Sequence, residues 1–87
     1  MKFTPTAVEG CFIVDLQLHS DDRGFFARSY CTDEFAAQGI DFTIVQANTS
    51  FNHAAGTMRG MHRQIAPAAE GKLVRCTAGA ITDCCLD

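Results

Sequence analysis

Apolar residues in this chain come in short bursts rather than in one long amphipathic period. Residues 11–16 and 25–30 are aromatic or β-branched runs of strand length, separated by a loop composition over residues 20–24. Residues 32–39 form the one helical candidate. Thr32 is the expected cap, Asp33 and Glu34 sit at the positive end of the helix dipole, and Gly39 is the expected stop. From Phe42 onward the character alternates. A strand over 43–51, a turn over 52–56, a strand over 57–64, a turn around Pro67 and a strand over 71–77 follow in order. After Ala78 and Gly79 comes a last strand-like run at 80–87. Many short strands with close turns predict an all-β, antiparallel sandwich or barrel with one short helix.

The two predicted hairpins align polar residues. Centring the first on Ala54 sets Gln46 opposite His62, and centring the second on Pro67 sets His62 opposite Lys72. The three then form a row on one face, and Asn48, Ser50 and Gln64 share that face through the two-residue strand period. Gly60 marks a candidate bulge that would shift this register. Flanking apolar positions such as Val45, Ala47, Leu73 and Val74 leave two readings open. The row is the wet face of a sheet, or it lines the mouth of a barrel that holds a small polar ligand. In the second reading His62 is the candidate base; His19 and His53 are placed in solvated loops.

Composition narrows the field. Eighty-seven residues allow one domain over 1–87, with 47% hydrophobic and 20% charged residues excluding a disordered chain. A chain of this length buries only about 60–65% of its unfolded surface, so an isolated monomer is marginal. No apolar run approaches the roughly 18 residues of a membrane span, and no signal peptide is recognisable, so the expected location is cytoplasmic. The net charge of −3 argues against nucleic acid as a partner. Between Gly56 and Gly79, however, Arg59, Arg63, Lys72 and Arg75 face Glu70 alone, which suits a phosphate or an enolate. Five cysteines, an odd number with no C-x-x-C spacing, read as buried free thiols. A metal site is not expected. The spacing from Gly56 to His62 matches the start of a metal-cupin pattern, but Gln64 stands where a second histidine is needed, and Glu70 is distant.

Several motifs occur together in order: Phe3-Thr4-Pro5-Thr6, Asp22-Arg23-Gly24-Phe25-Phe26, Val45-Gln46-Ala47-Asn48-Thr49-Ser50, Gly56-Thr57-Met58-Arg59-Gly60-Met61-His62 and Lys72-Leu73-Val74-Arg75. In these the chain resembles the N-terminal half of the dTDP-4-dehydrorhamnose 3,5-epimerase family. The resemblance implies a cupin-type jelly roll, of which about half the sandwich is present. It also implies epimerisation of a dTDP-4-keto-6-deoxysugar in deoxysugar biosynthesis, without metal or cofactor, in a homodimer. By the same resemblance His62 is the base, Lys72 stabilises the enolate, Arg59 contacts the diphosphate or holds the pocket, and Gln46 and Asn48 line it. Arg23 and Phe26 approach the nucleotide, in family dimers from the partner subunit.

The departures from the family pattern carry weight too. Arg63 follows His62 where the family has an aromatic residue, and Arg28 stands where it often has an acid. The family's tyrosine acid and His-orienting aspartate belong to its second half. Tyr30 lies in the wrong motif for the first, and Asp83 and Asp87 fall where structural strand residues are expected. The last apolar run stops at Asp87 with no turn or polar tail, which reads as an unfinished edge and a truncated domain. The expectation is therefore an epimerase that is weak or inactive alone. The alternatives are a non-catalytic cupin-like module binding a sugar nucleotide or a protein, and a structural fragment pairing through its open edge.

Overall fold

The structure is a computed structural model, and it describes residues 1–65 and 71–86. The predicted turn around Pro67, together with Glu70 and Asp87, lies outside the described residues. Four short strands and one helix form in chain order: β1 (Lys2–Pro5), β2 (Phe12–Asp15), β3 (His19–Asp21), β4 (Gly24–Phe26) and α1 (Thr32–Ala37). They make two separate two-stranded antiparallel sheets, β1 with β2 and β3 with β4.

The first hairpin pairs Lys2 with Asp15, Phe3 with Val14, Thr4 with Ile13 and Pro5 with Phe12. Proline, which cannot donate to a ladder, sits at the last position of β1. The connection is held by its own polar groups: Thr6 N donates to the Cys11 carbonyl at 3.0 Å, and Cys11 N to the Val8 carbonyl at 3.0 Å. Sequence patterning anticipates β2 closely and misses β1 as a strand. The second hairpin corrects the expected 20–24 loop. Ser20 and Asp21 belong to β3, Gly24 belongs to β4, and only Asp22 and Arg23 turn. Asp21 explains this, because its Oδ1 accepts from the Arg23 backbone N at 2.8 Å, an Asx turn that closes the chain in two residues. His19 is thereby in a strand, paired with Phe26, and not in a loop.

Helix α1 ends as expected. Gly39 has φ +76°, its N–H reaches the Ala36 carbonyl at 2.9 Å, and the Ile40 N–H reaches the Phe35 carbonyl at 3.0 Å. These are the two bonds of a Schellman stop, which needs a residue without Cβ at the left-handed position. The start differs. Cys31, not Thr32, occupies the cap position, and no side chain caps the helix. The Thr32 hydroxyl donates instead to the Tyr30 oxygen at 3.3 Å.

What holds these pieces together is Phe35, 3% exposed and the one buried hydrophobic residue among those described. Its ring meets Phe3 of β1 edge-on at 5.1 Å, Tyr30 at 4.9 Å and Phe42 at 5.9 Å. The Tyr30 hydroxyl donates to the Phe42 carbonyl at 2.7 Å, so its polar end is satisfied inside the cluster. A second tie is ionic: Glu34 accepts from the Met1 ammonium at 3.2 Å and from Arg28 Nη1 at 2.9 Å. Arg28 first, and the Met1 ammonium after it, hold the Glu34 carboxyl below its ordinary range. A depressed carboxyl contributes stability above its unfolded pKa and loses it as pH falls. The Glu34 side-chain carboxyl should therefore titrate, by carbon-detected NMR, below the roughly 4.3 of a free glutamate. Arg28→Ala should move that midpoint upward; an unchanged midpoint would show that the pair does not form in solution.

Beyond residue 42 the structure departs from expectation. Among the described residues, 43–65 and 71–86 contain turns and bends but no hydrogen-bonded strand, so the strands predicted at 43–51, 57–64, 71–77 and 80–86 do not form ladders here. The reason is visible in exposure. Alternating positions are uncovered on both sides, with Ile44 44% and Val45 90% exposed, and Leu73 40% and Val74 57%. A strand keeps its register when one face is buried, and an isolated hairpin is marginal in water. The Cα radius of gyration of 15.0 Å exceeds the roughly 12 Å of a compact domain this long. The thiols are free, but Cys76, Cys84 and Cys85 are exposed and Cys11 and Cys31 half-buried, against the expectation of burial. Cys85 is nevertheless near Cys11: a hydrogen bond to Cys11 is the largest influence pushing the Cys85 thiol up.

Candidate functional site

The expected site residues fall into three groups. Arg23 and Phe26 share the β3–β4 hairpin. Arg23 Nη2 is bound to Asp21 Oδ2 at 2.6 Å, a pair that holds the Asp21 carboxyl below its ordinary range. Phe26 is 77% exposed at the end of β4, and Phe25 beside it 66%. A shallow groove runs over Asp21, Arg23, Gly24, Phe25 and Phe26, and a cleft of about 240 Å³ opens on the other side of Phe26, towards His19, Arg28 and Glu34. The hairpin thus offers an aromatic face and a guanidinium side by side, the pair of groups that a base and a phosphate require.

Arg59 belongs to the second group, a loop that folds on itself. The expected turn over 52–56 is present, with Gly56 at φ +79°. The Thr57 hydroxyl donates to the Ala54 carbonyl at 2.8 Å. The Phe51 and His53 rings pack edge-on at 5.1 Å, so His53 is in a loop as expected but takes part in its packing. Arg59 closes the loop from its far end, with Nε donating to Asn52 Oδ1 at 2.6 Å and Nη2 to the Phe51 carbonyl at 3.0 Å.

The third group is Gln46, Asn48, His62 and Lys72, all on exposed backbone. Gln46 and His62 are not hydrogen-bonded to each other, because the ladder that would set them opposite is not formed. His62 has no hydrogen-bond partner among the described residues. Gly60 runs beside its ring, where an added Cβ would lie 3.6 Å from Nδ1. Lys72 follows Gly71, whose backbone approaches the Phe42 ring so closely that a Cβ there would be 3.0 Å from Cδ2. Lys72 is thereby tied, one residue away, to the aromatic cluster around Phe35. No three His, Cys, Asp or Glu side chains converge as metal ligands among the described residues, and no helix among them is long and apolar enough to cross a membrane.

Two contacts of this site are not among those expected from the sequence. Asp21 holding Arg23 could have been found from the Asp-x-Arg spacing ahead of a glycine, a common Asx-turn signature. Asn52 holding Arg59 carries no such local signal, because the partners are seven residues apart across a turn.

Two small antiparallel sheets, one short helix and a basic, histidine-bearing segment after it do not by themselves name a class, and comparison with known proteins supplies one. The family described as dTDP-4-dehydrorhamnose 3,5-epimerase matches residues 5–87, and the chain belongs to it. It is 36% identical over 87 residues to a dTDP-4-dehydrorhamnose 3,5-epimerase of Sinorhizobium fredii, covering 100% of this chain and 45% of the relative. To the protein of the same name from Pseudomonas aeruginosa it is 41% identical over 88 residues, covering 100% of this chain and 48% of the relative. A dTDP-4-dehydrorhamnose 3-epimerase of Streptomyces niveus is 34% identical, covering 100% of this chain and 42% of the relative. The chain thus spans a little under half the length of these relatives. No solved structure matches it significantly.

Proposed function

We propose that this chain carries the base-bearing part of a 3,5-epimerase acting on a dTDP-4-keto-6-deoxysugar. The observation that supports this most is the unbroken family match over residues 5–87, which includes every residue assigned a role. The 4-keto group acidifies the C3 proton. The His62 imidazole takes it, the C–H electron pair moves into a C3–C4 double bond, and the charge arrives on O4, where the Lys72 ammonium meets it. A proton returned to the opposite face by an acid of the remaining segment, which this chain does not carry, inverts the centre, and the same sequence at C5 completes the reaction. Arg59 faces the diphosphate, Gln46 and Asn48 line the sugar pocket, and Arg23 with Phe26 takes the nucleotide, supplied across a homodimer. The complete fold is a cupin-type jelly roll needing neither metal nor cofactor, working in the cytoplasm. Exposed apolar residues such as Val45, Met58 and Leu86, at 90%, 90% and 78%, are the surface such a sandwich would cover.

The test is deuterium uptake at C3 and C5 of the keto-sugar, which requires proton removal but not inversion. Uptake is expected with the chain supplemented by the remaining segment of a relative. Lys72→Ala should slow it by about a hundred- to a thousandfold, the cost of one oxyanion-stabilising donor. Equal rates for Lys72→Ala and wild type would remove Lys72 from the mechanism. Among the described residues no group orients the His62 imidazole by a hydrogen bond, which favours a second reading, a non-catalytic module binding the sugar nucleotide. That reading expects ligand binding with no deuterium uptake under any supplementation.

A further inference from the structure

Arg59 is oriented before any ligand arrives. Nε and Nη2 form one edge of the guanidinium, and both donate within the loop, to Asn52 Oδ1 at 2.6 Å and to the Phe51 carbonyl at 3.0 Å. The opposite edge, Nη1 with the second hydrogen of Nη2, has no partner among the described residues. Two parallel N–H groups on that edge match two oxygens of a phosphate. The loop that supplies the clamp is itself tied by the Phe51–His53 ring contact and by the Thr57 hydroxyl on the Ala54 carbonyl. A long side chain held by a rigid loop gives up less freedom when it binds.

We infer that Asn52 is a positioning residue, which turns the open edge of Arg59 towards the diphosphate of the bound nucleotide. This rests on the reading that Arg59 meets the diphosphate. An amide suits the role, because it accepts from Nε without cancelling the charge that the phosphate needs. Asp at this place would keep the acceptor but add a negative charge beside the phosphate.

The experiment titrates the full 87-residue chain with thymidine diphosphate by calorimetry, and follows the Arg59 Nε–H resonance by NMR. Arg59→Ala should weaken binding most. Asn52→Ala should weaken it by roughly three- to tenfold, the worth of one net hydrogen bond, and should add nothing in the Arg59→Ala background. The Nε–H should be protected from solvent exchange in wild type and Asn52→Asp, and exposed in Asn52→Ala. Asn52→Asp should bind more weakly than wild type although the clamp is kept. If Asn52→Ala binds like wild type while Arg59→Ala is weakened, Asn52 does not position Arg59 and the inference is overturned. An Nε–H equally protected in Asn52→Ala overturns it independently of any ligand. If Arg59→Ala binds like wild type, or the wild-type chain does not bind, the diphosphate assignment of Arg59 fails and the inference falls with it.

Discussion

His62→Ala is expected to abolish deuterium uptake at C3 of the keto-sugar, a loss on the order of a hundred- to ten-thousandfold for removal of a positioned base. The other two imidazoles lie outside the basic segment. His19 is in β3 and lines the cleft beside Phe26, Arg28 and Glu34, and His53 packs edge-on against Phe51. His62 alone of the three stands in the basic segment with Arg59 and Lys72. His53→Ala removes no base, so it should leave uptake at saturating substrate unchanged, and only raise the substrate concentration needed, through the loosened loop that Arg59 closes. The measurement is the rate of mass increase in the recovered sugar nucleotide, with circular dichroism confirming that each variant is folded. Wild-type uptake by a folded His62→Ala chain would show that the polar residues after 42 form only a wet surface.

Much of the N-terminal part was legible because its determinants are local. The Gly39 stop needs only a glycine after a two-turn apolar pattern, and β2 needs only a β-branched run between polar boundaries. The 52–56 turn announces itself through its Asn and Gly. The helix cap differs from the expected Thr32 because its hydroxyl has another partner, the Tyr30 oxygen, which no sequence pattern reveals. The expected 20–24 loop is a tighter turn because a loop composition and a two-residue turn share the same residue types, and only the Asp21 bonds to Arg23 distinguish them. The strands after Phe42 failed for a different reason. Their alternation is present in the sequence, but alternation specifies a strand only when something covers one face. Val45 and Met58, both 90% exposed, show that nothing among the described residues does. The row Gln46, His62 and Lys72 depends on those ladders, so the residue types of the site are readable from the sequence and their alignment is not.

Phe35→Ala should cost about 3–5 kcal/mol, the range for emptying a buried aromatic position. Set against the 5–15 kcal/mol that holds a typical domain together, such a loss takes up a large share of the stability. The size follows from how few side chains share the work: Phe35 is 3% exposed, and its ring is the common partner of Phe3, Tyr30 and Phe42. Removing it detaches α1 from β1 and leaves the Tyr30 hydroxyl bond to the Phe42 carbonyl unsupported. Urea unfolding followed by far-ultraviolet circular dichroism reads the loss as a lower midpoint at constant slope. Phe35→Leu separates two contributions. It keeps most of the apolar volume but gives up the edge-on ring contacts, worth about 0.5–1.5 kcal/mol. The effect should also reach the site, because the Phe42 ring lies against Gly71, and Lys72 is the next residue. Gly71→Ala, whose new methyl would sit 3.0 Å from Phe42 Cδ2, should displace the Phe42 ring and so perturb the same junction from the other side. If Phe35→Ala unfolds within about 1 kcal/mol of wild type, well below the range for emptying a buried aromatic position, the aromatic cluster is not what joins the helix to the sheet.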